Sequence, residues 1–260
     1  MALEKRTAMH PPLKILSYNI HKGFNSSNLK FTLKKLKESI ESVQADIVFL
    51  QEVVGHHEVH KKRVKEWPLV SQFEYLADHI WPHFAYGKNA VYPHGHHGNA
   101  ILSKYPISQW ENIDISTNRL ENRGLLHVEV HPWENQPALH LICLHLSLFE
   151  SGRQAQLRNL CDRIAAHIPP ESPLIVAGDF NDWREKASLV LKKELHLDEL
   201  FLQLSGQHAK TFPSWMPALR LDRIYTRFFQ PLSSQILTQG VWSTLSDHAA
   251  LFGELKWNPG

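Results

Sequence analysis

Six apolar runs in this 260-residue chain end in, or border on, polar side chains able to do chemistry. Lys14–Tyr18 runs into Asn19, and Asp46–Gln51 into Glu52. Leu141–Leu144 runs into His145, and Leu174–Gly178 into Asp179, with Asn181 two residues on. Leu221 is followed by Asp222, and Ser246-Asp247-His248 precedes the last run. A carboxylate or imidazole at the end of a buried strand is costly unless it is paired, hydrogen-bonded or metal-bound. One such residue says little, but six strand ends together point to a shared polar centre at one edge of the sheets. A hard oxygen donor such as Glu52 suits Mg²⁺, which keeps several waters and binds through one or two carboxylates together with a substrate phosphate. The Asp and Asn side chains then remain to hold a nucleophile and phosphoryl oxygens.

Those residues have to be positioned by the runs themselves. Lys14–Tyr18, Asp46–Leu50, Gly98–Ser103, Leu125–Val130, Leu139–Leu144, Leu174–Ala177, Leu221–Thr226 and Ala249–Leu255 are short, rich in Ile, Val, Leu and aromatics, and bounded by turn residues, so they read as strands. Leu29, Leu33, Leu36, Ile40 and Val43 recur at helical spacing, with Ser26 or Ser27 available as a cap. Leu157, Leu160, Ile164 and Ile168 predict a second helix, stopped by Pro169 and Pro170. Two more are expected over 71–81 and 185–195. Mixed hairpins and helical crossovers predict an α/β or α+β sandwich better than a simple parallel sheet.

Hydrophobic residues make up 43% of the chain, enough for a sizeable core, and the formal charge of +2 is smaller than a dedicated nucleic-acid binder usually shows. Two cysteines, Cys143 and Cys161, exclude a Cys-x-x-Cys metal site. No stretch approaches the roughly 18 apolar residues of a membrane span, and the opening residues do not form a signal peptide. The expectation is a cytoplasmic protein with residues 1–12 as a disordered leader and 13–260 as one catalytic domain.

Ser17-Tyr-Asn-Ile20, Gln51-Glu52, His145-Leu-Ser147, Gly178-Asp-Phe-Asn181, Leu221-Asp222-Arg223 and Ser246-Asp-His248, in this order, resemble the motifs of the endonuclease/exonuclease/phosphatase superfamily, the DNase I-like proteins. Gly98–Pro106 resembles the segment after that family's third strand, and the full string is most similar to small stand-alone bacterial members. The resemblance covers nearly the whole chain. It implies a four-layer α/β sandwich, two mixed β-sheets flanked by helices, and a metal-dependent phosphodiesterase or phosphatase using in-line attack of water. The cofactor it implies is Mg²⁺, with Mn²⁺ as the alternative.

On that resemblance His248 is the general base, a neutral imidazole oriented by Asp222. Asp179 holds or helps deprotonate the water. Asn181 and His145 stabilise the phosphoryl oxygens. Glu52 is the main metal ligand, with Asn19 and Asp247 completing the shell directly or through water. Each residue also has a plainer reading: a structural Asp–His pair, a Gly-Asp-x-Asn turn, an exposed strand-end Glu52, an Asn19 capping its own backbone, a core His145. Arg123 could bind substrate phosphate as a planar fork or make a surface ion pair. Asn99 is a further substrate-binding candidate. The aromatic loop Thr211–Pro217 either contacts substrate or simply packs.

Two histidine-rich tracts, 55–60 and 94–97, read as solvated loops or as a rim contacting phosphate or a transition metal. His57-Glu-Val-His60 is one residue short of the H-E-x-x-H pattern. His21 stands where the AP-type nucleases of the family carry an acid, and long basic inserts for gripping duplex DNA are missing. The expected partner is therefore a phosphate ester (nucleic acid, phospholipid head group or small phosphodiester), with no obligatory protein partner. Two other readings stand beside it: a lipid-directed enzyme or regulator at a membrane surface, and a catalytically silent binding protein on the same scaffold.

Overall fold

The computed structural model describes residues 10–118 and 121–259. Residues 1–9 of the expected leader lie outside the described residues. The His10 ring packs 5.8 Å from Trp133 and 5.4 Å from Trp257, centroid to centroid.

Alternation of side chains along the strands dictates the layers. In the first sheet β1 (Leu13–Asn19) and β2 (Ile47–His57) are parallel neighbours. β3 (His83–Tyr92), β4 (Gly95–Ser103), β11 (Phe229–Leu237) and β12 (Ala250–Trp257) complete it, in the order β11-β12-β1-β2-β4-β3. The second sheet runs β5-β6-β7-β8-β10-β9. Its members are β5 (Ile107–Asp114), β6 (Gly124–Val130), β7 (Leu139–His145), β8 (Leu174–Asp179), β9 (Asp198–Glu199) and β10 (Asp222–Arg227). Here β7 and β8 are the parallel pair.

One set of alternate residues, among them Ile15, Phe49, Ile101, Leu141, Cys143 and Ile224, fills the space between the sheets. The other set of the first sheet, including Leu16, Val48 and Leu102, packs against α1 (Leu33–Val43) and α3 (Gln72–Ala77). In the second sheet Ile142, Leu144 and Val176 pack against α4 (Glu150–His167) and α5 (Ala187–Leu195). This is the expected four-layer sandwich. Two short helices, α2 (Glu58–Arg63) and α6 (Leu200–Ser205), complete the chain.

The first helix starts four residues later than its apolar spacing predicts. The Asn25 side chain accepts from the backbone N–H groups of Leu29 and Lys30, at 3.1 and 2.9 Å, and holds that stretch as a turn. Leu29 is left 88% exposed, and Thr32, not Ser26 or Ser27, precedes the helix. The third helix starts at a reciprocal Ser71–Glu74 capping box, as Ser71 allows. The edge strands β3, β5 and β11 were not apparent from the sequence, because a half-exposed edge needs no continuous apolar run. The histidine tracts are not loops either. β2 continues through His57, and Val54, His56 and His57 pair with His97, His96 and Gly95 of β4.

Candidate active site

Three neighbouring strands of the second sheet end in the residues that define the site. In register, His145 of β7 lies beside Asp179 of β8, and Asp179 lies beside Asp222 of β10. Gly178 makes that approach possible. A Cβ there would lie 2.0 Å from the Leu144 carbonyl oxygen, and the residue has φ +149°. From the first sheet β1 contributes Asn19, whose amide donates to Asp179 Oδ2 at 3.2 Å. The loop ahead of β12 brings His248 in, and Ser246 Oγ pins that loop by donating to the Asn19 carbonyl at 2.7 Å.

Asp179 is the hub. His145 Nε2 lies 3.4 Å and His248 Nε2 3.7 Å from its Oδ2, and its Oδ1 accepts from the Asn181 backbone N–H at 3.0 Å. His248 Nδ1 meets Asp222 Oδ2 at 2.9 Å, the expected orienting pair. Asn181 sits at φ 49° and spends one amide hydrogen on the Leu146 carbonyl at 3.0 Å, which leaves its second hydrogen for a ligand.

Glu52 reaches the same cleft through a bulge. The β2–β4 register shifts between Leu50 and Val53, and Glu52 takes φ 57°. The extra residue turns its carboxylate toward the cleft, a common use of bulges near functional sites. Glu52, Asp247, Asp179 and His248 line one opening with Arg123 and His145. The carboxylates of Glu52 and Asp247 each have a basic partner: Lys22 Nζ lies 3.4 Å from Glu52 and His21 Nδ1 lies 2.6 Å from Asp247, which raises the pKa of the His21 ring. Asn19 Oδ1 accepts from the His21 backbone N–H at 3.1 Å. Hard oxygens from Glu52, Asp247 and Asn19, grouped where basic side chains already gather, are the donor chemistry a Mg²⁺ or Mn²⁺ ion takes. Asp179, Asp222 and His248 also place three ligand atoms within 4.8 Å of one another. There the His248–Asp222 bond already uses the Nδ1 side.

The buried charges shift one another. Burial, chiefly, raises the Asp179 carboxyl to about 6, with the Asp222 charge adding to it. Burial works against charge on His248, but Asp222 and then Asp179 outweigh it and lift its pKa to about 10. The neighbouring carboxylates thus favour the charged form of the His248 ring, against the effect of its burial. His145 goes the other way, driven well below its ordinary value by burial and by Arg123. Asp179 is the carboxylate that both rings approach.

The remaining candidates divide. Arg123 lines the cleft and also lies 3.6 Å from Glu121, and its buried Nε has no hydrogen-bond partner among the described residues. Asn99 donates to the carbonyls of Gly124 and Cys143 at 3.0 and 3.3 Å, so its amide hydrogens are committed to the second sheet and only its oxygen is left for substrate. Of the loop 211–217, Phe212 lines the opening and its ring lies 5.1 Å from that of His248. Lys22, Leu148 and Trp183 were not singled out from the sequence, nor was His21 as a partner of Asp247. The string Asn-Ile-His-Lys-Gly held the signal for His21 and Lys22, since two basic residues stand two and three positions after a site Asn.

A sequence profile of the endonuclease/exonuclease/phosphatase family matches residues 16–248, and the chain belongs to that family. It is 49% identical over 242 residues to uncharacterized protein YbhP of Escherichia coli K12, covering 93% of this chain and 95% of that one. Its fold is similar to an endonuclease/exonuclease/phosphatase from Beutenbergia cavernae, with TM-score 0.74, 19% identity, and coverage of 96% of this chain and 72% of that one. It is also similar to Danio rerio TDP2 complexed with a single-strand DNA product, with TM-score 0.68, 22% identity, and coverage of 94% and 99%. Among the described residues no helix is long and apolar enough to cross a membrane.

Proposed function

We propose that this chain hydrolyses a phosphodiester by in-line attack of water, with Mg²⁺ held by Glu52 and supported by Asn19 and Asp247. The observation that carries the reading is the meeting of Asn19, His145, Asp179, Asp222 and His248, from both sheets and one loop, around a single carboxylate. A bound divalent ion would supply charge neutralisation on the phosphoryl oxygens. Asp179 positions the attacking water and takes its proton. The Nε2 side of His248 faces the oxygens where charge develops, while Asp222 keeps its Nδ1–H engaged. His145 and the free amide hydrogen of Asn181 are placed to bond the remaining phosphoryl oxygens.

A diester is proposed over a monoester because Leu148, Trp183, Phe212 and Leu219 at the opening offer apolar contact to a second ester substituent. The DNA product held by the similar TDP2 structure makes nucleic acid one candidate substrate; phospholipid head groups and small diesters are others. A cytoplasmic setting remains part of the proposal.

The test is hydrolysis of bis(p-nitrophenyl) phosphate with and without Mg²⁺ or Mn²⁺. Metal-dependent turnover that disappears in Glu52→Ala and His248→Ala supports the reading. Wild-type rates in both variants would overturn it, and binding of a diester without turnover would favour the silent binding protein.

A further inference from the structure

Around the mouth of the cleft the surface changes character. Leu148 and Phe149 follow β7, Trp183 follows β8, and Trp215, Met216 and Leu219 stand on the loop ahead of β10. Their exposures are 55, 61, 44, 63, 61 and 43% respectively. Leu148, Trp183 and Leu219 line the opening together with His145, Asp179 and His248. Three separate loops thus each bring one partly exposed apolar side chain, Leu148, Trp183 or Leu219, to the rim of this opening, with Phe149, Trp215 and Met216 exposed close by in sequence. Scattered exposed hydrophobics are ordinary, but a contiguous group around a cleft marks an interaction surface.

The same three segments carry Arg184, Lys186, Lys210, Arg220 and the buried Arg153 against three carboxylates: the buried Asp182, and the half-buried Glu150 and Glu185. Glu150 and Glu185 are taken by Arg153, Lys186 and Arg220. Arg184 and Lys210 are exposed and form no ion pair among the described residues.

We propose that this collar docks reversibly on an anionic lipid surface and seats the cleft over phosphate esters at the membrane–water boundary. The chemistry of the collar selects this occupant. Half of the collar, Leu148, Met216 and Leu219, offers no ring on which a base could stack, and of its three aromatic rings that of Trp183 already has the Arg153 guanidinium 4.3 Å away. A single-stranded nucleic acid needs successive aromatic platforms along a continuous basic track. Here an apolar ring has cations at its margin, the arrangement by which Trp and aliphatic side chains enter the acyl boundary while Lys and Arg stay at the head groups. Because loops rather than a long helix carry the apolar groups, insertion is shallow and the attraction depends on anionic lipid and on salt. The proposal rests on the hydrolytic reading only for what the docked cleft does; docking itself does not need turnover.

The experiment is flotation with vesicles of phosphatidylcholine alone and of phosphatidylcholine containing about a third phosphatidylglycerol. Wild type is expected to float with the anionic vesicles and to release at high salt. Phe149→Ser/Trp215→Ser/Met216→Ser should reduce partition at least about tenfold while keeping the wild-type melting temperature and its turnover of a soluble diester. Arg184→Glu/Lys210→Glu should weaken it on anionic vesicles only. His248→Ala should float like wild type, so loss of hydrolysis and loss of docking are read separately. Wild type that ignores anionic vesicles, or a triple Ser variant that binds them undiminished, overturns the proposal. So does a triple variant whose defect is instead in single-stranded oligonucleotide binding or in self-association by sedimentation.

Discussion

Asp222→Asn isolates the electrostatic element of the site, because it removes one charge and almost no volume. Asp222 Oδ2 accepts from His248 Nδ1 at 2.9 Å, and both residues are buried. Charge centres about 4 Å apart in a medium of effective dielectric about 20 interact by about 4 kcal/mol, equivalent to about three pKa units. The imidazole, lifted to about 10 in the wild type, should fall to about 7 in the variant by that arithmetic. The linkage has a definite sign. A folded-state pKa above the unfolded value of about 6.5 stabilises the protein fully below that pH and loses its effect as pH rises through about 10. Asp222→Asn should flatten that part of the stability curve. Turnover should fall by about a thousandfold, since the ring loses both its orienting carboxylate and its charge. Ring ¹⁵N shifts of His248 across pH, urea melts at pH 6 and 10, and diester turnover with Mg²⁺ measure the three effects. A variant that keeps the wild-type His248 titration, or more than about a tenth of wild-type activity, would refute the argument from charge.

Glu52→Gln keeps the shape of the bulged strand but removes the charge facing Lys22. It should weaken Mn²⁺ binding, followed by electron paramagnetic resonance, at least about tenfold and remove metal-dependent turnover; unchanged Mn²⁺ affinity would place the metal elsewhere. Gly178→Ala forces a Cβ against the Leu144 carbonyl at a left-handed φ and should cost about 3 kcal/mol in urea denaturation; a neutral result would mean that β7 and β8 can part without penalty. His127 Nε2 and His140 Nδ1 lie 3.0 Å apart, buried on the outer face of the second sheet. Burial, chiefly, lowers these groups to about 3 and about 4. Their folded-state pKa values lie below the unfolded one, so stability is full above pH about 6.5 and falls as pH drops toward about 3. His127→Gln should blunt this acid loss by a few kcal/mol, on the order of what such shifts imply, when melts at pH 7 and 4 are compared.

The strand-end residues were legible because strands with continuous apolar runs announce where they stop, and the site is built at those stops. Asn19, His145 and Asp179 come together for that reason, Asp222 and Ser246–His248 because the next strand begins there, and Glu52 because a bulge interrupts β2. The parallel β1–β2 and β7–β8 pairs align their ends at one edge, which a linear reading can anticipate from pattern alone. What stayed hidden depends on tertiary charge and backbone. The charge state of His248 follows from three carboxylates that the sequence separates by up to 69 positions. The turn held by Asn25 overrode a good helical stripe through Leu29. The commitment of the Asn99 amide to the opposite sheet cannot be inferred from Gly98-Asn-Ala, because its partners lie far away at Gly124 and Cys143.

That Asn99 contact also bears on motion. The side chain sits on β4 and clasps carbonyls of β6 and β7, so it ties the two sheets together close to Glu52, Arg123 and His145. Sheets fastened there cannot slide or splay to admit a bulky molecule without breaking buried hydrogen bonds. Any widening on substrate entry must come from the loops above, and the geometry of the reacting groups stays fixed while those loops give way.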